Sequence, residues 1–163
     1  MASVDKPEFA PLLAPGRHVM TLEAIAELCV TPFETSPTRP RLMASLSGFV
    51  AVLREHLPIC DLWVDGSFVS DKVDPEDIDL TLVIEGEVFD RLHPDLQAVV
   101  DSMANGETMR PHLHVFPIVT RPMGHPGRIP GEAMVSNWAQ WWCVARGGWL
   151  KGVPVIRFDG TDG

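Results

Sequence analysis

The 163-residue chain is short of cysteine, of positive charge and of uninterrupted apolar sequence. Its three cysteines, Cys29, Cys60 and Cys143, are odd in number and far apart. A disulfide framework or a cysteine-based zinc site needs paired, closer spacing, so reduced buried thiols and a cytoplasmic setting are expected. No apolar run approaches the roughly 18 residues that a membrane-spanning helix requires. The first residues, MASVDKPEFAPLLAPG, are acidic and broken by proline, the reverse of a basic and then apolar leader, and predict no signal peptide. Lysine and arginine number 13 against 22 aspartates and glutamates, for a net charge of −9. That balance opposes general affinity for nucleic acid or anionic membranes but permits a local basic site. Internal repeats and low-complexity tracts are also missing.

What is present is the composition of one globular domain, 45% hydrophobic and 21% charged. Residues 1–20, with Pro7, Pro11 and Pro15, read as an extended arm lying on the body. Thr21 caps a first helix with an apolar stripe of Leu22, Ile25 and Leu28, which ends before Pro32. The stretch TPFETSPTRP is irregular. Arg41 to Leu57 is the clearest helix, with Leu42, Leu46, Phe49, Val50 and Leu53 at three- and four-residue steps and Pro58 as its stop. Strands are expected at Cys60–Asp65 and Ile78–Ile84, with a turn at Glu85–Glu87 after them. Pro94 opens a helix carrying Leu96, Val99, Val100 and Met103, which Asn105-Gly106 ends. Leu113–Val119 reads as a third strand, 120–131 as a loop, Val135–Ala145 as an aromatic helix and Val153–Phe158 as a last strand. The order α-α-β-β-α-β-α-β predicts a small α/β (α+β) domain spanning 1–163.

Chemistry concentrates between Leu62 and Ile84, LWVDGSFVSDKVDPEDIDLTLVI. Gly66-Ser67 follows a strand and opens a turn whose N–H groups and hydroxyl suit the terminal phosphates of a nucleotide. Asp77 and Asp79 stand two apart, so an extended chain turns both carboxylates to one face and Ile78 and Leu80 to the other. Adjacent carboxylates repel, and a shared Mg²⁺ or Mn²⁺ bridging to phosphate relieves that repulsion. The plainer reading is a polar turn between two strands with surface aspartates. Both flanks are hydrophobic and strand-like, which favours a metal–nucleotide site.

Glycine-serine, about ten residues, then aspartate-x-aspartate resembles the signature of the polymerase-β-like nucleotidyltransferase superfamily. The chain is more specifically similar to small uncharacterised bacterial and phage proteins that carry such a domain. The likeness covers Leu12-Leu13-Ala14-Pro15-Gly16-Arg17-His18, Thr21-Leu22-Glu23, Gly66-Ser67-Phe68-Val69, Lys72, Pro75, Asp77-Ile78-Asp79-Leu80 and Lys151-Gly152, nearly the whole length. It implies a minimal nucleotidyltransferase fold, a short mixed sheet flanked by helices, with Gly66, Ser67, Asp77 and Asp79 in the active site. It also implies transfer of a nucleotide from an NTP to a hydroxyl acceptor such as RNA or protein. The alternative it carries is a catalytically silent module binding a nucleotide or a protein partner, with toxin–antitoxin or phage-related roles.

One departure from that pattern concerns the third strand, HLHVFPIV, where the superfamily places a further carboxylate and this chain has His114. A neutral imidazole can accept a proton or bind a metal but adds no negative charge for a second cation. Asp65 is a substitute carboxylate or simply a turn residue. His112, His114 and His125 also admit a zinc reading, against which an H-x-H pair without cysteine or carboxylate is more often ordinary strand polarity.

Three further features have both a functional and a plain reading. No acidic residue occurs between Thr108 and Gly131, while Arg110, Arg121 and Arg128 do; this is either an anion patch for triphosphate or an RNA end, or a solvated loop. Lys72 is a candidate phosphate contact or an exposed loop lysine. Trp138, Trp141 and Trp142 could stack a base, but their helical spacing fits a core-closing face better.

Overall fold

The side chains of Ile78–Glu85 alternate between two environments, and this strand sorts the rest of the molecule. Ile78, Leu80, Leu82 and Ile84 are buried with helix residues such as Ile25, Leu42, Leu46, Phe49, Val100 and Met103. Thr81 and Val83 point the other way, where Trp63, Val153 and Val155 form a smaller cluster with Val83. Period-two alternation between a helix-covered face and a second face is the reason this apolar run is a strand rather than a helix.

The structure, a computed structural model, describes residues 9–107, 110–122, 124–126 and 151–161. Its elements are β1 (Gly16–Val19), α1 (Leu22–Cys29), α2 (Thr38–His56), β2 (Ile59–Asp65), a 3₁₀ turn (Ser67–Val69), β3 (Ile78–Glu85), α3 (Gly86–Asp90), α4 (Pro94–Ala104), β4 (Leu113–Thr120) and β5 (Gly152–Asp159). The sheet order is β1-β5-β2-β3-β4. β2 runs antiparallel to β3 and to β5, whereas β3–β4 and β1–β5 are parallel. A parallel neighbour needs a crossover, and α3 and α4 supply the one between β3 and β4. This is an α+β fold with a five-stranded mixed sheet and four helices among the described residues.

The caps follow the sequence. The Thr21 hydroxyl accepts the Ala24 N–H at 3.1 Å, and Pro94 stands at the first position of α4. Cys29 and Cys60 are buried free thiols whose pKa values desolvation pushes up to about 12. Cys143 and the aromatic helix expected at Val135–Ala145, with Trp138, Trp141 and Trp142, lie outside the described residues.

Three elements differ from expectation. The arm ends in a strand, because Gly16–Val19 pairs in register with Gly152–Val155. α2 begins at Thr38 rather than Arg41, since Pro40 falls in the first turn, where a missing N–H costs nothing. Gly86–Asp90 is helical where the sequence indicates a turn. Gly86 is required there, because a Cβ on it would lie 2.7 Å from the backbone carbonyl oxygen of Thr120.

Arg39 sits fully buried behind the segment that joins β2 to β3. Its Nε donates to the Val73 carbonyl, Nη1 to those of Cys29 and Phe68, and Nη2 to those of Ser70 and Lys72. All five N–H donors of a guanidinium are thereby used. The ring of Phe33 lies 3.6 Å from the guanidinium carbon. From the other side the arm holds the same segment, with Leu12 N–H donating to Val69, Asp71 N–H to Ala10, and Ala10 N–H to the Asp71 carboxylate.

Candidate active site

The carboxyl end of β2 and the start of β3 meet at Gly66. Its backbone is in the left-handed region, with φ 85°, a conformation glycine adopts without Cβ strain. A Cβ there would also lie 2.7 Å from Oδ2 of Asp79. Ser67 then opens the 3₁₀ turn, closed by the Ser70 N–H and Ser70 hydroxyl donating to the Ser67 carbonyl at 3.2 and 2.7 Å.

Strand register assembles the charged side chains. Asp65 on β2 pairs with Asp79 on β3, and Asp79 pairs with His114 on β4. Asp77 precedes β3 on the face of Asp79. Nδ1 of His114 lies 3.5 Å from Oδ1 of Asp79 and 3.9 Å from Oδ2 of Asp77. The imidazole therefore spans the two carboxylates, and all three side chains remain open to solvent, at 59% for His114, 41% for Asp77 and 44% for Asp79.

Burial, and then the neighbouring Asp77 charge, raise the pKa of Asp79 above the ordinary carboxylate value, while His114 and Lys151 oppose the rise. Two carboxylates side by side repel each other, and a divalent cation shared between them would relieve that repulsion. Two carboxylates are also the usual protein share of a Mg²⁺ site completed by phosphate oxygens and water. Among the described residues no group of three or more histidines, cysteines or acids is arranged to hold a metal. Asp77 and Asp79 fit a substrate-assisted cation, not an all-protein cage.

Behind them is a residue pair of a different kind. The β2–β5 ladder ends at Trp63↔Val155, one step before Pro154, which has no N–H to give. Past that point the two chains are joined by side chains: Nζ of Lys151 lies 2.6 and 2.8 Å from the two oxygens of Asp65. Asp65 is 5% and Lys151 20% exposed. Desolvation raises the Asp65 pKa, and the Lys151 charge works against it.

Other expected participants lie elsewhere. Lys72 gives its carbonyl to Arg39, and its ammonium lies 5.8 Å from the ring centroid of Phe9 in the arm. Arg110 packs against Gly48 of α2, whereas Arg121 follows β4 and forks onto Asp90 at 2.6 and 2.8 Å. The two arginines stand beyond opposite ends of an eight-residue strand, about 25 Å of chain at ~3.3 Å per residue. Arg128 lies outside the described residues. His112 precedes β4 with φ 67°, so it does not share the strand face of His114 as an H-x-H pair would. His125 lies in the segment after β4, with the rest of that strand between it and His114.

Sequence reasoning missed two contributors. Arg39 sits between two prolines in TRPR, with nothing local to mark it. Lys151 is 86 residues from its partner Asp65, and only the register of β5 brings them together. No helix among the described residues is long and apolar enough to cross a membrane.

Comparison with known sequences places the chain in a family. It belongs to a family of unknown function, DUF6932, whose profile matches residues 7–157. Comparison with curated proteins and with solved structures finds no match.

Proposed function

We propose that this member of a family of unknown function is a metal-dependent nucleotidyltransferase resembling the polymerase-β-like superfamily, moving a nucleotide from an NTP to a hydroxyl acceptor. The observation that carries the reading is the register Asp65–Asp79–His114 with Asp77 alongside, set against the left-handed Gly66 turn. Asp77 and Asp79 would hold Mg²⁺ or Mn²⁺, which would supply positive charge to the phosphates; pyrophosphate is the leaving group. Gly66 keeps the chain close to Asp79 and, with Ser67, presents the turn to the phosphates. His114, beside both carboxylates, is placed to take the proton of the acceptor hydroxyl as its oxygen bonds to the α-phosphorus. The fixed segment 67–73 keeps these groups oriented without ligand.

The experiment is label transfer. The protein is incubated with Mg²⁺ or Mn²⁺, each labelled NTP, and total RNA or cell lysate. Transfer that disappears in Asp77→Ala and Asp79→Ala supports the enzyme.

A second reading is favoured by His114 itself. With an imidazole where a third carboxylate would stand, the site binds a nucleotide without turning it over. Metal-dependent NTP binding with no transfer to any acceptor is the outcome that selects this silent module.

A further inference from the structure

The three carboxylates of the site outnumber the cations facing them. Asp65, Asp77 and Asp79 bring three negative charges, and Lys151 is the fixed positive charge that the register sets beside them among the described residues. A triphosphate approaching this row meets like charge. One divalent cation on Asp77 and Asp79 offsets those two carboxylates and leaves little for the phosphates. Lys72, the lysine nearest in sequence, is drawn to Phe9 and to the arm instead.

Lys151 is well placed to supply what is missing. It stands immediately before β5, at the end where the β2–β5 ladder has stopped at Trp63↔Val155. Its ammonium is held by Asp65, whose strand partner is Asp79. An ammonium has three N–H donors, and this one is fixed at one end of the row Lys151–Asp65–Asp79–His114. Holding a lysine by a buried carboxylate costs desolvation that a well-packed apolar pair would avoid. A requirement for positive charge at this position accounts for that cost.

We propose that Lys151, oriented by Asp65, is a phosphate-contacting residue of the site and binds the outer phosphates of the nucleotide. This inference rests on the nucleotidyltransferase reading of the same site and names the residue that captures the triphosphate.

The test uses Mn²⁺ with inorganic triphosphate, a probe that needs no knowledge of the base or the acceptor. Lys151→Gln alone strands the buried Asp65 charge and can unfold the chain, so the comparison is between Asp65→Asn and Asp65→Asn/Lys151→Gln, both checked for native circular dichroism. The full-length chain is titrated calorimetrically with Mn²⁺ alone and then with Mn²⁺–triphosphate. The expected result is that Asp65→Asn, whose amide oxygen can still accept from the Lys151 ammonium while one competing negative charge is gone, binds the triphosphate complex at least as well as the wild type. The double variant binds it about tenfold more weakly, the worth of one charge-assisted phosphate contact. Affinity for Mn²⁺ alone is unchanged. A double variant that binds triphosphate as tightly as Asp65→Asn overturns the proposal, as does an equal loss of affinity for Mn²⁺ alone. A wild-type protein that binds neither probe overturns the nucleotidyltransferase reading itself.

Discussion

A β-carbon placed on Gly66 would stand 2.7 Å from Oδ2 of Asp79, closer than real contacts allow. The carboxylate proposed to hold the cation is packed directly against the turn proposed to face the phosphates. The glycine is needed twice at that point, for its positive φ and for its missing side chain.

Gly66→Ala should therefore do two things at once. The left-handed backbone and the clash destabilise the fold by about 1–3 kcal/mol, read from a denaturant midpoint. The displaced Asp79 carboxylate should also weaken Mn²⁺ binding in the folded variant. Unchanged Mn²⁺ affinity would remove Asp79 from the metal site.

His114→Asp restores an acid at the position in register with Asp79. Beside Asp77 and Asp79, a third carboxylate should lower stability without metal, tighten Mn²⁺ binding and make the stability gained on adding Mn²⁺ larger than in the wild type. Thermal melts with and without Mn²⁺ read all three. A variant indifferent to Mn²⁺ would show that His114 does not occupy the metal-facing position.

Asp79 gives the site a pH signature. Its pKa is raised above 3.8, first by burial and then by Asp77, so the folded state holds this proton more tightly than the unfolded chain does. The stability it contributes is fully present below about pH 3.8 and is lost as pH rises through the raised folded value. Asp79→Asn keeps the shape and removes the titration. The variant should match the wild type at the acid end and become the more stable of the two toward neutral pH, in denaturant midpoints taken across that range. A wild type that stays the more stable at neutral pH would contradict a raised pKa at Asp79.

Arg39→Met should be among the most damaging single substitutions outside the site. It leaves the carbonyls of Cys29, Phe68, Ser70, Lys72 and Val73 without their buried donors, a loss of about 3–5 kcal/mol by analogy with broken buried charge networks. Arg39→Lys should recover little of it, because an ammonium has three donors and no planar fork. Denaturant midpoints that shift by less than 1 kcal/mol in Arg39→Met would show that water takes over those carbonyls.

The parts of the fold legible in the sequence were those with local causes. Period-two alternation locates β3 to within a residue, a short apolar run does the same for β4, and Thr21 and Pro94 mark their helices because capping acts over one turn. β1 was read as plain arm, since four residues become a strand only by pairing with Gly152–Val155 far along the chain. The pairing of Asp77 with Asp79 is visible from spacing alone, whereas His114 is singled out by the resemblance to the nucleotidyltransferase superfamily, and the register of β3 and β4 sets it opposite Asp79. The contacts of Lys151 and Arg39 are not legible, although Lys151-Gly152 is part of the resemblance. Their partners lie 86 residues away in one case and, in the other, are backbone carbonyls that carry no side-chain signature. Lys72 has a neighbour that the sequence does not announce either, the ring of Phe9 in the arm, 5.8 Å from its ammonium.

Successive carbonyls of the segment after Gly66 are claimed from opposite sides, those of Phe68, Ser70 and Lys72 by Arg39 and that of Val69 by the arm. Its conformation is complete when the chain has folded. A ligand arriving at this segment finds its carbonyls already paired, so little of the segment's chain entropy is lost on capture. Rates of ligand entry should follow ionic strength, through the charges of the site.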